Sequence, residues 1–359
     1  MPTDAGAEGS SLAEGSSLAE GSSLAEGSSE IEALTDGTPN GLLHLKLLDG
    51  AGGSWDCAPA DIERWTPTEG CLWLHFDLGA PGTREWITHQ SGLNEIAVEA
   101  LLSEETRPRT INRGDNLLLS LRGVNPTLTD DPGDMISLRI WTDGHRVIST
   151  RFRALRSTED LLSALEAGQG PVDVQTLLAA WISGIVDRMK DTIEGFEDQV
   201  LGAEERILAG ETTGLRSELA KLRKHTVTVR RYLSPQREAM SRLVNEELTW
   251  LGEHTRLKLR EINDRLIRHI EDIDEIRDRA SLAQEELLAR VSEEMNARSY
   301  VFTVVATIFL PLGFFTGLMG INVGGMPGVD SDTAFWVVVG LCVAVILVLA
   351  VVFRIKRWL

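Results

Sequence analysis

Histidine and cysteine are the side chains in this sequence that could bind a transition metal, because such ions prefer imidazole and thiolate ligands. The chain has seven histidines and three cysteines, and none of them forms an HxH, HxxxH or CxxC pair. This spacing argues against a compact zinc site. His269 and Glu285 are the candidates for a metal contact, since both fall in a long stretch with helical periodicity. The alternative makes His269 a polar residue that sets the register of a helical bundle.

The turn GLMGINVGGMPGVD, residues 317–330, is a flexible and weakly charged stretch. It contains five glycines and Asn322, and its only charged residue is Asp330, with Asp332 close behind. Asn322 suits a helix C-cap, because asparagine readily adopts the left-handed conformation.

Two apolar segments flank this turn and position it. Residues 299–319 and 334–353 carry no charge, and each is long enough to cross a hydrocarbon core of about 30 Å. The second segment has no polar face, so we expect it to face lipid. In the first segment, steps of three and four residues define one stripe of mostly small side chains. With Asn296 at its inner end, the stripe contains Ser299, Phe302, Ala306, Leu310, Gly313 and Gly317. Such a stripe is typical of close helix packing and equally of a pore lining, and its spacing does not separate the two.

The charge distribution predicts how the segments lie in a membrane. The net charge is −19, and the first 298 residues carry 52 acids against 32 bases, which argues against nucleic acid as a partner. Basic residues flank the cytoplasmic ends of membrane helices. Arg298 precedes the first segment and Arg354 follows the second, whereas residues 320–333 have no Lys or Arg. We therefore expect both termini in the cytoplasm and the turn outside.

The remaining chain predicts an α+β protein. Ala7 starts three AEGSSL repeats, which cannot bury a core. Strands alternate with short helices over residues 40–165. We expect two short helices broken near residues 91–92, a single strand within residues 106–125, and a hairpin in which Asp143–Gly144 is the two-residue turn. The predicted organisation is a disordered acidic tail (1–38), a cytoplasmic α/β domain (39–170), a long-helix stalk (171–298), a first membrane helix (299–319), an outer loop (320–333), a second membrane helix (334–353) and a basic cytoplasmic end (354–359).

The stalk contains the longest uninterrupted periodic pattern of the chain. Its seam positions are Leu259, Ile262, Leu266, His269, Ile273, Ile276, Ala280, Ala283 and Leu287. No Gly or Pro interrupts the stretch from residue 253 to 310, so the pattern predicts one helix of about 65 residues that continues into the membrane. We expect so long a helix to need partner helices from other subunits.

Taken together, these features resemble the CorA superfamily of divalent-cation transporters. The resemblance spans residues 40–359 and is carried by Gly320–Ile321–Asn322, where the superfamily typically has Gly-Met-Asn, and by LLSEETRPR (101–109) and IFLPLGFFTGL (308–318). It implies a homopentamer whose first membrane helices line a central pore and whose long helices form a funnel. It also implies that Gly320 and Asn322 surround the outer mouth, where Gly320 exposes a backbone carbonyl and the Asn322 side chain offers a neutral oxygen to a hydrated divalent cation. The C-cap role is compatible with this one, since capping orients the side chain. The extension GINVGGMPG is similar to the ZntB branch, the zinc-transporting members.

The resemblance predicts a function and leaves alternatives. Met319 stands where classical CorA members have an aromatic residue, and no acid closely follows Asn322, which favours zinc over magnesium. The predicted function is uptake of Zn²⁺ across the cell inner membrane, with or without proton coupling. Mg²⁺, Co²⁺, Ni²⁺ and Cd²⁺ are the other ions considered. No cofactor and no enzymatic activity are expected. The alternatives are a magnesium or cobalt channel gated by cytoplasmic metal, and a membrane-anchored scaffold without transport.

Overall fold

The computed structural model describes residues 39–104, 107–124, 135–321 and 332–355. The predictions for the tail 1–38, for Asn322 and for Asp330 lie outside these ranges. Within them the chain forms one sheet with the strand order β2-β1-β3-β7-β6-β5-β4. The strands are β1 (Leu42–Leu48), β2 (Ser54–Asp56), β3 (Leu72–Asp77), β4 (Arg109–Arg113), β5 (Asn116–Val124), β6 (Met135–Thr142) and β7 (Arg146–Arg151).

The sheet is antiparallel except at its centre, where β3 and β7 pair in parallel. The hairpin predicted at Asp143–Gly144 is confirmed as the connection between β6 and β7. Gly144 has a φ of +89°, and Asp143 Oδ1 accepts hydrogen bonds from the backbone nitrogens of His145 and Arg146. The single strand predicted within residues 106–125 is wrong. It is two strands, β4 and β5, because Gly114 with a φ of +64° reverses the chain between them.

Three short helices accompany the sheet: α1 (Pro81–His89), α2 (Glu95–Leu102) and α3 (Arg156–Glu166). The predicted pair of helices broken near residues 91–92 is confirmed as α1 and α2, whereas α3 and β2 were not predicted. Ile87 and Leu101 bring α1 and α2 onto a core that includes Phe76 and Ile148 from the sheet. The ring of Trp181 packs edge-on against the ring of Trp73 in β3, with 5.1 Å between the ring centroids.

The rest of the described chain is helical: α4 (Val174–Leu208), α5 (Leu215–Asn245), α6 (Glu253–Met319) and α7 (Ala334–Ile355). With 67 residues, α6 is about 100 Å long at 1.5 Å per residue. Pro235 lies inside α5, which continues past it. The described chain divides into two compact units, of which the first extends to Gly195 and includes Lys224–Asp274. The second comprises Phe196–Arg223 and the residues from Glu275 onwards.

In the first unit, the seam of α6 is buried by the chain's own helices. Leu259, Ile262, Leu266 and Ile273 are all buried. Polar contacts join α6 to both neighbours, since Arg265 binds Asp187 of α4 at 2.8 Å and Asp274 accepts a hydrogen bond from Arg230 of α5 at 2.5 Å. The α5 helix in turn contacts the sheet, where Thr110 Oγ1 donates to Ala239 O at 2.7 Å.

In the second unit, the remaining seam positions Ile276, Ala280, Ala283 and Leu287 are likewise buried. Arg279 of α6 forms a two-armed ion pair with Glu204 of α4, with hydrogen bonds of 3.1 and 2.6 Å. The expectation that this seam needs helices from other subunits is therefore wrong. The reason is that α4 and α5 are themselves long enough to cover it from within the same chain.

Candidate ion pathway

The membrane part of α6 has one partly covered face. The side chains there that are only partly exposed are Val304, Thr307, Ile308, Leu312 and Phe315. They recur at intervals of three and four residues, which places them on one side of a helix. The end of α6 follows closely, because Gly320 N donates to both Thr316 O at 3.0 Å and Gly317 O at 3.1 Å.

The stripe predicted from the sequence lies on the opposite side of α6. Ala306 is two residues from Ile308, which is about 200° around the helix. All stripe positions from Asn296 to Gly317 are exposed in the single chain, and Phe302 and Leu310 are 77% and 73% exposed. Exposed positions of the stripe are Asn296, Ser299, Phe302, Ala306, Leu310, Gly313 and Gly317.

The stripe glycines are not required by packing inside the described chain. A Cβ atom added at Gly313 or Gly317 would meet nothing within 4 Å. The threonines nearby make their own hydrogen bonds to the helix, as Thr303 Oγ1 donates to Ser299 O at 2.9 Å and Thr316 Oγ1 to Leu312 O at 2.8 Å. Such bonding satisfies hydroxyl groups in apolar surroundings. The small side chains therefore leave open space along this face.

The α7 helix repeats the pattern of one partly covered face. Its partly covered positions are Ala334, Val338, Val339, Cys342, Val345 and Leu349, and all of them except Val339 lie on one side of the helix. Within the described residues, α6 and α7 are the helices long and apolar enough to cross a membrane. Asp332 is exposed just before α7 begins, and Ile321 and Gly320 are exposed just after α6 ends.

His269 lies on the packed side of α6. Its side chain is 14% exposed, and its Nδ1 is 3.8 Å from Asp272 Oδ2. Burial lowers the pKa of His269, and Asp272, with Val186 O and Asp187 of α4, partly offsets that effect. Glu285 is exposed on α6. In the part of the chain that the structure describes, no three His, Cys, Asp or Glu side chains are arranged to hold a metal ion.

A buried histidine network in the first unit was not predicted. Ser149 Oγ accepts a hydrogen bond from Trp73 Nε1 at 3.0 Å and donates one to Leu74 O at 3.1 Å. His75 Nδ1, 2.8 Å from Ser149 Oγ, must therefore carry the proton. The His44 ring stacks on His75 with 5.9 Å between centroids. A histidine inside the apolar run CLWLHFDL was the signal for this network, because so buried a histidine needs a hydrogen-bond partner.

Comparison with known proteins decides the family. Residues 68–357 match the family described as the CorA-like Mg²⁺ transporter protein. The chain belongs to this family. The divalent cation transporter CmaX of Pseudomonas aeruginosa is 39% identical to the CorA-like chain over 333 residues, which is 92% of this chain and 100% of the relative. The zinc transport protein ZntB of Yersinia enterocolitica is 32% identical over 314 residues, 87% of this chain and 94% of the relative.

Solved structures show the same fold. The full-length CmaX structure matches the CorA-like chain with a TM-score of 0.79 at 39% identity, covering 90% of this chain and 99% of that one. The CorA magnesium transporter of Methanocaldococcus jannaschii matches with a TM-score of 0.75 at 18% identity, covering 88% and 99%. The predicted fold class, and the resemblance to the CorA superfamily with its ZntB branch, are thus confirmed.

Proposed function

We propose that this chain transports divalent cations across the inner membrane, that Zn²⁺ uptake is its principal activity, and that five copies surround a central pore. Two observations support the cargo. CmaX is named a divalent cation transporter, and several relatives that are 32–33% identical to this chain are named zinc transport proteins. Transport needs no chemical conversion, so we propose no enzymatic activity and no resident cofactor.

The exposed stripe of α6 is the observation that supports a pore. One α6 and one α7 cannot enclose a channel, so a pore needs several copies. The partly covered face of α6 is used within the chain, which leaves the opposite face free to meet other copies. Gly313 and Gly317 provide open space along that face. In the proposed assembly the stripe from Asn296 to Gly317 lines the pore.

The outer end of the proposed pore would hold the ion-selective groups. We place Gly320, Ile321 and Asn322 at the mouth, where a ring of neutral oxygens binds a hydrated divalent ion without trapping it. Asp330 and Asp332 would attract cations to this mouth. Both termini would lie in the cytoplasm, where we also assign weak cation contacts to His269 and Glu285.

The test is ion flux into liposomes that contain the purified full chain. Zn²⁺ and Mg²⁺ uptake are measured with and without a pH gradient, and we expect Zn²⁺ uptake to exceed Mg²⁺ uptake. Asn322→Ala should reduce Zn²⁺ uptake at least tenfold, whereas Asn296→Ala at the inner end should retain most of it. Equal flux and selectivity in Asn322→Ala and the unmodified chain would remove Asn322 from the filter.

The same measurement separates the alternatives. The fold shared with a CorA magnesium transporter favours a magnesium channel as the second candidate. Mg²⁺ flux that exceeds Zn²⁺ flux and ignores the pH gradient would establish that candidate instead. If folded and inserted protein transports no divalent ion, the result would favour the membrane-anchored scaffold without transport.

A further inference from the structure

Arg139, in the middle of β6, carries a charge that no described acidic side chain balances. The residue is completely buried. Its Nη2 donates to Glu104 O at 3.0 Å, but Nε and Nη1 have no hydrogen-bond partner among the described residues. Among the described residues, the charged group that acts on it is Arg122, a second cation. Burial, and then Arg122, lower the pKa of Arg139 to about 10, so the guanidinium is still a cation at neutral pH.

The surroundings of Arg139 stabilise a cation only in part. Glu104 O lies just beyond the C-terminal end of α2, where the helix dipole is negative. The Phe152 ring lies under the guanidinium with 5.3 Å between the ring centroid and Cζ. Neither group carries a full negative charge. A buried ion without a counter-ion is strongly unfavourable, and two donors without acceptors add to that cost.

A second unsatisfied polar group lies beside Arg139. Ser120 of β5 pairs directly with Arg139 across the sheet, so both side chains leave the same face. The Ser120 hydroxyl is buried and has no hydrogen-bond partner in the described chain. On the other side, Thr150 of β7 also pairs with Arg139, but its hydroxyl already donates to Leu101 O at 2.8 Å. The free donors are therefore those of Arg139 and Ser120.

We infer that Arg139 and Ser120 form a buried site for one small monovalent inorganic anion, such as chloride, between the sheet and the end of α2. A single anion balances the single buried charge, which water cannot do. Nε and Nη1 lie on different edges of the guanidinium, so the anion binds at one edge and receives the Ser120 O–H. The other edge needs only a neutral acceptor, such as a buried water molecule. The anion fastens α2 to the sheet through Arg139.

The test uses the full chain in detergent and its thermal unfolding temperature. Chloride, bromide or nitrate is titrated into a buffer of the bulky anion gluconate at constant ionic strength. Because the anion binds the folded state, the unfolding temperature should rise with each small anion and then saturate. Arg139→Met should lose this response. Arg146→Met is the matched control, because Arg146 lies on the same sheet but is paired with Asp143.

Two further variants keep the inference falsifiable. If Arg139→Met does not fold, Ser120→Ala should still raise the half-saturating chloride concentration severalfold. An unfolding temperature that is the same in every anion, or a response that persists in Arg139→Met, would overturn the site. Glu105 follows Glu104 in the sequence and is the rival counter-ion. If Glu105→Gln creates a chloride response that the unmodified chain lacks, that carboxylate balances Arg139 and the anion site is wrong.

Discussion

Acidification should destabilise the first unit through His75. The hydrogen bonds of Ser149 fix the proton of His75 on Nδ1, so Nε2 is the unprotonated nitrogen. Nε2 is buried and has no hydrogen-bond partner in the described chain. Protonation would place an N–H group there with nothing to accept it. Burial first, then the Arg151 cation and then His44 in its protonated form hold the pKa of His75 well below its ordinary value of 6.5.

The magnitude follows from proton linkage. The unfolded chain binds a proton at His75 below about pH 6.5, whereas the folded chain does not. The contribution of the neutral His75 to the free energy of unfolding is therefore fully present above pH 6.5, and it is lost as the pH falls towards the folded-state pKa. One such proton costs about 1.4 kcal/mol per pH unit, so His75 alone can remove at most about 2 kcal/mol between pH 6.5 and 5.0.

The assay compares unfolding of the full chain in detergent from pH 5 to 8 for the unmodified protein and His75→Asn. Asparagine can donate to Ser149 Oγ as Nδ1 does, but it does not titrate, so the variant should show a pH slope smaller by about one proton. Its absolute stability falls because the ring is lost, and only the slope is diagnostic. His89→Asn, at an exposed position, should keep the original slope. Equal slopes in the unmodified chain and His75→Asn would refute the reasoning.

Three further results are expected. Gly313→Val should reduce Zn²⁺ uptake at least tenfold in the proposed pore. Gly340→Val is the control and should transport normally, because Gly340 is exposed on the side of α7 opposite its partly covered face. Equal Zn²⁺ uptake by the two variants would contradict the pore assignment. Trp181→Ala should lower the free energy of unfolding by about 3–5 kcal/mol in a denaturant titration, because the Trp181 ring is completely buried. A loss below about 1 kcal/mol would show that the contact of Trp181 with the sheet is dispensable. Arg279→Met should lower the free energy of unfolding by less than about 1 kcal/mol despite the two-armed ion pair of Arg279 with Glu204, because both side chains are partly exposed. A larger loss of unfolding free energy in the same titration would show that the pair is shielded from solvent.

Local chemistry explains which parts of the fold could be predicted. The Asp143–Gly144 turn and the break between α1 and α2 depend on residues within a few positions, so they could be read from the sequence. The β4 strand could not, because its residues RTINR lack apolar alternation and only their pairing with β5 makes them a strand. The burial of Arg139 could not be predicted for a related reason. An arginine in a strand is normally exposed, and only the position of α2 over the sheet buries this one.

The limits of periodicity are clearest in α6. The heptad pattern correctly marked Leu259 to Leu287 as a packed seam, but periodicity alone does not say which helices cover it. They are α4 and α5 of the same chain, and His269 consequently faces Asp187 and Asp272. The same holds in the membrane part, where spacing marked the small-residue stripe but could not decide between packing and a pore. The exposure of the stripe shows that the described chain does not pack on it, which fits both packing between copies and the proposed pore lining.

The chemistry of that stripe constrains the proposed transport further. From Ser299 to Gly317 it contains no carboxylate, imidazole or thiolate, so its only metal-binding groups are neutral oxygens. An ion crossing the proposed pore would therefore keep much of its hydration, and the open space beside Gly313 and Gly317 would accommodate such an ion. In the proposed pore, discrimination between ions would then fall to its two ends, at Gly320 to Asn322 and at the acid-rich stalk. The same lack of titratable groups means that any proton coupling needs a carrier beyond the stripe.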